Sequence, residues 1–202
     1  MRLSRHADVI AERYGVDSDL VLPRGLDIRP TQNVAVIRHS RSQDARRFDV
    51  QRWGLIPSWW KQDKLPAHMF NARSETAAEK PSFRTAFRRR RCLVPIDAFY
   101  EWKKNEDGTK TKHVITTTED GPFTLAGLWE TWANPGGDTI ASFTILTCEP
   151  NERLATIHDR MPVILDDAVH ETWLDPEMQD VDALNALMRP YPAESIVAEP
   201  SA

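Results

Sequence analysis

Asn71, Arg73, Glu101 and His158 are the residues whose types and surroundings point to chemistry in this chain. Asn71 and Arg73 stand in Asn71-Ala72-Arg73-Ser74-Glu75, directly after Met69 and Phe70, while Glu101 sits between Phe99-Tyr100 and Trp102. Polar groups in such an apolar frame must be paired or put to use, because burying an unpaired amide costs roughly 2 to 7 kcal/mol. His158 lies in Ile157-His158-Asp159-Arg160-Met161-Pro162, and histidine, with a reference pKa of about 6.5, takes or gives a proton near neutrality. Its neighbours Asp159 and Arg160 could orient the ring or bind an anion. Taken singly, each keeps a structural alternative: His158 as a packing residue, Glu101 as the partner of one of many arginines.

Arg73 and Arg160 offer planar guanidinium forks that suit a phosphate better than lysine does. Residues 84–91 hold Arg84, Arg88, Arg89, Arg90 and Arg91 with no acid among them, either a solvated helix face or a basic patch. Trp59-Trp60 reads as core. Exposed beside arginines, the same pair becomes a stacking platform worth about 1 to 3 kcal/mol per base. A phosphate-cradling glycine loop, a Ser/His/Asp nucleophile motif and cysteine or histidine pairs at zinc spacing are all missing from the sequence. No metal or cofactor is therefore expected. Three classes stay open: an acid/base or covalent enzyme, a single-strand nucleic-acid binder, and a structural domain with satisfied polar groups.

The elements that must carry these residues are legible from punctuation and periodicity. A helix over 5–14 is predicted from Ser4 as a cap, helical spacing of Ala7, Ile10, Ala11 and Tyr14, and Gly15 as a left-handed stop. Strands at 33–38 and 47–53 form an antiparallel pair; Trp53 to Trp60 is a turn-rich aromatic segment whose rings need cover. Short helices at 74–80 and 82–89 flank Pro81, and strands follow at 92–94, 99–103, 111–117, 123–132 and 142–148. Two further helices lie near 167–174 and 181–188. Because strands and helices do not alternate, the fold class is α+β, with a mixed or barrel-like sheet core and peripheral helices. A length of 202 residues with 41% hydrophobic content fits one domain, placed at 1–190, with 191–202 as a loosely held, proline-bearing tail.

The net charge of -4 makes no global case for nucleic acid, although charge can be segregated locally. Cys92 and Cys148, the two cysteines, sit in apolar runs and read as small buried hydrophobes. No apolar run approaches a membrane span or a signal peptide, so a reducing, cytoplasmic setting is expected.

Taken together, Trp53-Gly54-Leu55-Ile56-Pro57-Ser58-Trp59, Asn71-Ala72-Arg73-Ser74-Glu75-Thr76, Pro81-Ser82-Phe83-Arg84, Arg91-Cys92-Leu93-Val94-Pro95, Phe99-Tyr100-Glu101-Trp102 and His158-Asp159-Arg160-Met161-Pro162 resemble the SOS response-associated peptidase family. These are abasic-site processing proteins, and the resemblance spans nearly the whole chain. It implies a monomeric DNA-damage protein that captures abasic sites in single-stranded DNA. The nucleophile of that family is a cysteine exposed by removal of the initiator methionine, a self-cleavage that gives the family its peptidase label. Its α-amine forms a Schiff base with the ring-opened sugar, and its thiol closes a thiazolidine. Carried over by motif, Glu101 shuttles protons, His158 helps open the sugar ring, and Asn71 positions the reacting groups. Arg73 and Arg160 hold phosphates, Trp59 or Trp60 wedges against bases, and Pro30 and Arg84 join the DNA-binding surface. A non-covalent single-strand binder that has lost the reaction, and a cysteine-type peptidase acting on other proteins, are the alternatives.

The chain departs from the family at its start. It begins Met1-Arg2-Leu3-Ser4, where Cys-Gly-Arg is expected after the start methionine. Leu3 and the following helix align with the family's first helix, so the segment reads as missing, not substituted, either through a start assigned too late or in a variant that has lost crosslinking. On this reading the Met1 amine lies too far back to reach the pocket. A further departure is Asp27 in Leu26-Asp27-Ile28-Arg29-Pro30-Thr31-Gln32, where the family offers an amide.

Overall fold

The computed structural model describes residues 1–4, 7–16, 27–40, 42, 44–62, 64–134 and 136–201. Five strands close on themselves: β1 (Asn33–Ser40), β2 (Ala45–Trp53), β8 (Thr139–Cys148), β7 (Phe123–Ala133) and β4 (Arg91–Ile96) pair in that order, and β4 returns to β1. Its interior is aliphatic and aromatic, with Val34, Val36, Leu93, Phe143 and Ile145 among the buried residues. All six residues of β4 are buried, as expected of a strand covered on both faces.

Three short strands extend the barrel. β3 (Asn71–Arg73) runs parallel to β8, β9 (Met161–Pro162) pairs antiparallel with β8, and β10 (Ile164–Leu165) pairs with β7. A second sheet holds β5 (Phe99–Lys104), β6 (Lys110–Thr117) and β11 (Ile196–Pro200) in the order β11-β6-β5. Helices α1 (Ala7–Tyr14), α2 (Ser74–Ala77), α3 (Arg84–Arg89), α4 (His170–Leu174) and α5 (Val181–Leu187) are short and peripheral.

The expected α+β class with a barrel-like core and the expected antiparallel β1–β2 pair are observed. α1 ends where Gly15 takes a φ of 62°, and Val16 N–H returns to Ala11 O. Residues 5 and 6, at the start of the expected helix 5–14, lie outside the described residues, and the Ser4 hydroxyl donates to Asp97.

The tail requires a correction. Instead of hanging loose, residues 196–200 form β11 along the open edge of β6, with Ile196 buried and Ser201 N–H donating to Lys112 O. An unpaired strand edge leaves a row of backbone groups without partners, and the tail supplies them despite its prolines. The aromatic segment is covered unevenly. Trp53 is buried with its indole N–H on Phe70 O, and Trp60 is half-buried and accepts from Trp132 at its carbonyl, whereas Trp59 is 53% exposed.

Candidate active site

Strand β8 carries most of the site on its two flanks. On one, β3 pairs Asn71 with Ile145 and Arg73 with Thr147, and the two-residue period of a strand sends Asn71 and Arg73 to one face while Ala72 is buried on the other. On the other flank β9 pairs Pro162 with Thr147, which brings the preceding His158 and Arg160 alongside. Glu101 arrives from the second sheet, on β5.

The cleft so formed has a volume of about 790 Å³ and is walled by Phe70, Asn71, Arg73, Glu101, His158 and Arg160, with Pro30 and Trp102 among its further lining. A mostly apolar concavity of this size with a few convergent polar groups is the usual form of a binding site.

His158 Nε2 lies 3.8 Å from Glu101 Oε2, so the histidine joins the two sheets across the cleft. The Arg160 backbone N–H donates to His158 Nδ1 at 3.1 Å. Nδ1 also lies 3.2 Å from Arg160 O and 3.2 Å from Asp159 Oδ1, so that nitrogen faces one donor and two acceptors, while Nε2 faces Glu101. Burial pushes the Glu101 carboxyl above the ordinary carboxylate range; His158 pulls it down and Asp159 pushes it up. A carboxyl with raised proton affinity beside an imidazole can exchange protons with a bound molecule, and such pairs are commonly loose before substrate arrives.

Arg160 is not an open fork. Both of its terminal nitrogens donate to Glu75, at 2.7 and 2.8 Å, and one also donates to Thr147 O. This bidentate bond holds the Glu75 carboxyl below its usual range and raises the Arg160 guanidinium. Its effect is to tie the segment that carries His158 to α2. Arg73 differs: it is exposed and its side chain makes no hydrogen bond or ion pair among the described residues, although its charge helps to lower the Glu75 carboxyl. The Asn71 side chain is likewise exposed and uncommitted.

Pro30 reaches the cleft on a strained turn. Thr31 has a φ of 77°, unfavourable for a β-branched residue, and is held by its N–H on Trp53 O at 2.7 Å. Asp27 is tied to Arg29 at the rim, which keeps its carboxyl below the usual range.

Met1 corrects the expectation that its amine would fall short of the pocket. It lines the cleft, its carbonyl accepting from Ile28 N–H at 2.8 Å and its α-amine donating to Ile28 O at 2.9 Å. Burial pulls that amine down to about 6. Trp59, Trp60 and Arg84, by contrast, do not line the cleft. Sequence reasoning missed Glu75 as the partner of Arg160, and Trp102 as an aromatic of the cleft, 48% exposed. Glu75 was signalled by its place two residues after Arg73, and Trp102 by its place directly after Glu101.

Neither cysteine is a nucleophile. Cys92 and Cys148 are buried and free; burial pushes the Cys92 thiol far up and Cys148 to about 11, away from the reactive thiolate. Groups of acids, histidines and cysteines able to hold a metal are not found among the described residues. Among those residues, too, no helix is long and apolar enough to cross a membrane.

A closed barrel with a carboxyl–imidazole pair and an exposed arginine at one cleft holds the groups needed to move a proton and to pair with an anion. The chain belongs to the SOS response associated peptidase (SRAP) family, which it matches over residues 1–201. It is 41% identical over 196 residues to the abasic site processing protein YoqW of Bacillus subtilis, covering 95% of this chain and 86% of that one. To the abasic site processing protein HMCES of Gallus gallus it is 35% identical over 172 residues, covering 74% of this chain and 51% of the relative. Its fold superposes on a crystal structure of a Bacteroides thetaiotaomicron protein with a TM-score of 0.90, at 28% identity, covering 98% of this chain and 90% of that one.

Proposed function

We propose that the cleft receives an abasic site in single-stranded DNA and supports its covalent capture, with Glu101 and His158 moving the protons. The observation that carries this reading is the Glu101–His158 pair, set across the cleft from the uncommitted Arg73. In the reaction, an amine adds to the ring-opened sugar aldehyde and water leaves as the imine forms. Glu101, holding its proton more tightly than an ordinary carboxyl, protonates the departing hydroxyl, and His158 relays a proton to and from the sugar oxygen. Arg73 takes a flanking phosphate. Asn71, two residues before it on the same strand face, offers an amide to the sugar.

Within the printed sequence the mid-chain cysteines lack a free amine, so thiazolidine formation calls for the family's Cys-Gly-Arg ahead of Met1. Three extended residues reach about 10 Å, and Met1 stands on the cleft wall, so such a segment would enter the cleft directly. The test compares two chains on a single strand with one abasic site. A chain led by Cys-Gly-Arg is expected to give an adduct that survives SDS, slowed by Glu101→Gln. The printed chain, with its amine near 6, is expected to give only an adduct that borohydride must trap. Absence of any SDS-resistant product from the Cys-led chain would overturn the covalent reading and favour non-covalent binding.

A further inference from the structure

The arginine run after Pro81 divides in two. Arg90 is ion-paired to Glu130 at 2.6 Å, and Arg91 is buried, donating to the carbonyls of Phe87, Arg88, Trp173, Asp175 and Met178. Arg84, Arg88 and Arg89 are exposed on α3, and their side chains make no hydrogen bond or ion pair among the described residues. The helix is anchored through buried Ala86 and Phe87, so these three side chains cannot turn inward. The nearest acid in sequence, Glu79, makes no ion pair among the described residues. Holding like charges together without counter-charge is unfavourable, and a chain with net charge -4 has acids to spare.

Two hollows flank this face. One, of about 250 Å³, is lined by Ala78, Arg84, Thr85, Arg88 and Arg89. The other, of about 500 Å³, includes Arg38, Arg89 and Arg90, so Arg89 belongs to both. The first begins close to the cleft: α2 starts immediately after Arg73, and the five residues to Ala78 advance about 7 Å at a helical rise.

We infer that the α3 arginines Arg84, Arg88 and Arg89 form a second phosphate-binding lane, which takes the sugar-phosphate backbone of the strand after it leaves the cleft past Arg73. This rests on the cleft reading for its starting point. The lane recognises charge spacing and no base identity, so it adds affinity that grows with strand length up to its end.

The experiment uses the full chain with two single-stranded oligonucleotides carrying a stable abasic analogue, one of about five nucleotides that fills only the cleft and one of about twenty. Affinity is followed across salt concentrations. For Arg88→Ala/Arg89→Ala, two lost contacts lower the salt slope for the long strand by about 1.4 and weaken binding about 25-fold at 0.1 M salt. Binding of the short strand stays within about twofold. Arg88→Lys/Arg89→Lys, which keeps the charge, retains most of the slope, and an unchanged melting temperature certifies the fold of both variants. Equal loss on short and long strands, or no loss on the long one, overturns the lane. If the wild-type chain binds the long strand in an Arg88- and Arg89-dependent way but not the short one, the lane stands and the cleft reading fails. Binding of neither strand overturns both.

Discussion

In the cleft the charged groups are held, whereas on α3 they are left free, and that difference separates positioning from binding. Arg160 spends its fork on Glu75 and Thr147, and its backbone N–H lies against His158 Nδ1. Arg88 and Arg89 spend theirs on nothing the described chain provides. A group that must present one atom to a reacting centre needs its rotamer and protonation state decided beforehand, which takes partners. A group that meets a mobile phosphate backbone gains more from having no partner to displace. Arg73 sits in the cleft but, like the α3 arginines, has no side-chain partner among the described residues, which is why we propose it as a phosphate binder.

Removal of the proton-moving carboxyl gives the largest expected effect on this contrast. Glu101→Gln should slow adduct formation by the Cys-led chain about 10² to 10⁴-fold, measured in single turnover. The same substitution should raise stability at neutral pH. The proton affinity of Glu101 is raised on folding, so the folded state binds more protons than the unfolded one between the two pKa values. Stability is then lost as pH rises through that window, and the variant escapes the loss. A denaturant midpoint at pH 5 and pH 8 checks the sign.

Next comes the held arginine beside the free ones. Arg91→Ala should destabilise the fold by about 3 kcal/mol, because it strands buried carbonyls at the end of α3 and near α4, whereas Arg88→Ala should stay within about 0.5 kcal/mol. Urea midpoints of the two variants, side by side, measure the contrast directly.

Smaller effects sharpen the division inside the cleft. Glu75→Gln should loosen Arg160, slow adduct formation about tenfold and cost about 1 kcal/mol, discounted because Glu75 is half exposed. Single-turnover rates and urea midpoints of the variant check the two figures. Arg73→Ala, with no partner to strand, should leave stability untouched and weaken single-strand binding about fivefold at 0.1 M salt, with a slope smaller by about 0.7.

Local order was largely readable from the sequence. Gly15 ended α1 as expected, and the strand runs emerged with their ends displaced by a few residues. Asn71 and Arg73 were singled out by residue type, but the three-residue strand that puts them on one face is too short to show a period and was not read. Long-range partners could not be read in that way. Glu75 and Arg160 are 85 positions apart, and the edge that β11 covers belongs to a strand far upstream. Met1 reaches the cleft because Ile28 and Ala98 grip the first two residues, a contact with no sequence period. Trp59 and Trp60 share an aromatic signal, but only the lie of the chain after Trp53 decides that neither lines the cleft.

The central claim, that the lesion sits between Glu101 and Arg73, is tested most directly by backbone amide shifts of the printed chain titrated with a short single strand carrying a stable abasic analogue. The account expects saturable shifts concentrated at 71–73, 99–102 and 158–162, and weaker binding of the same strand with its base intact. Shifts that fall elsewhere, or a titration indifferent to the missing base, would contradict it.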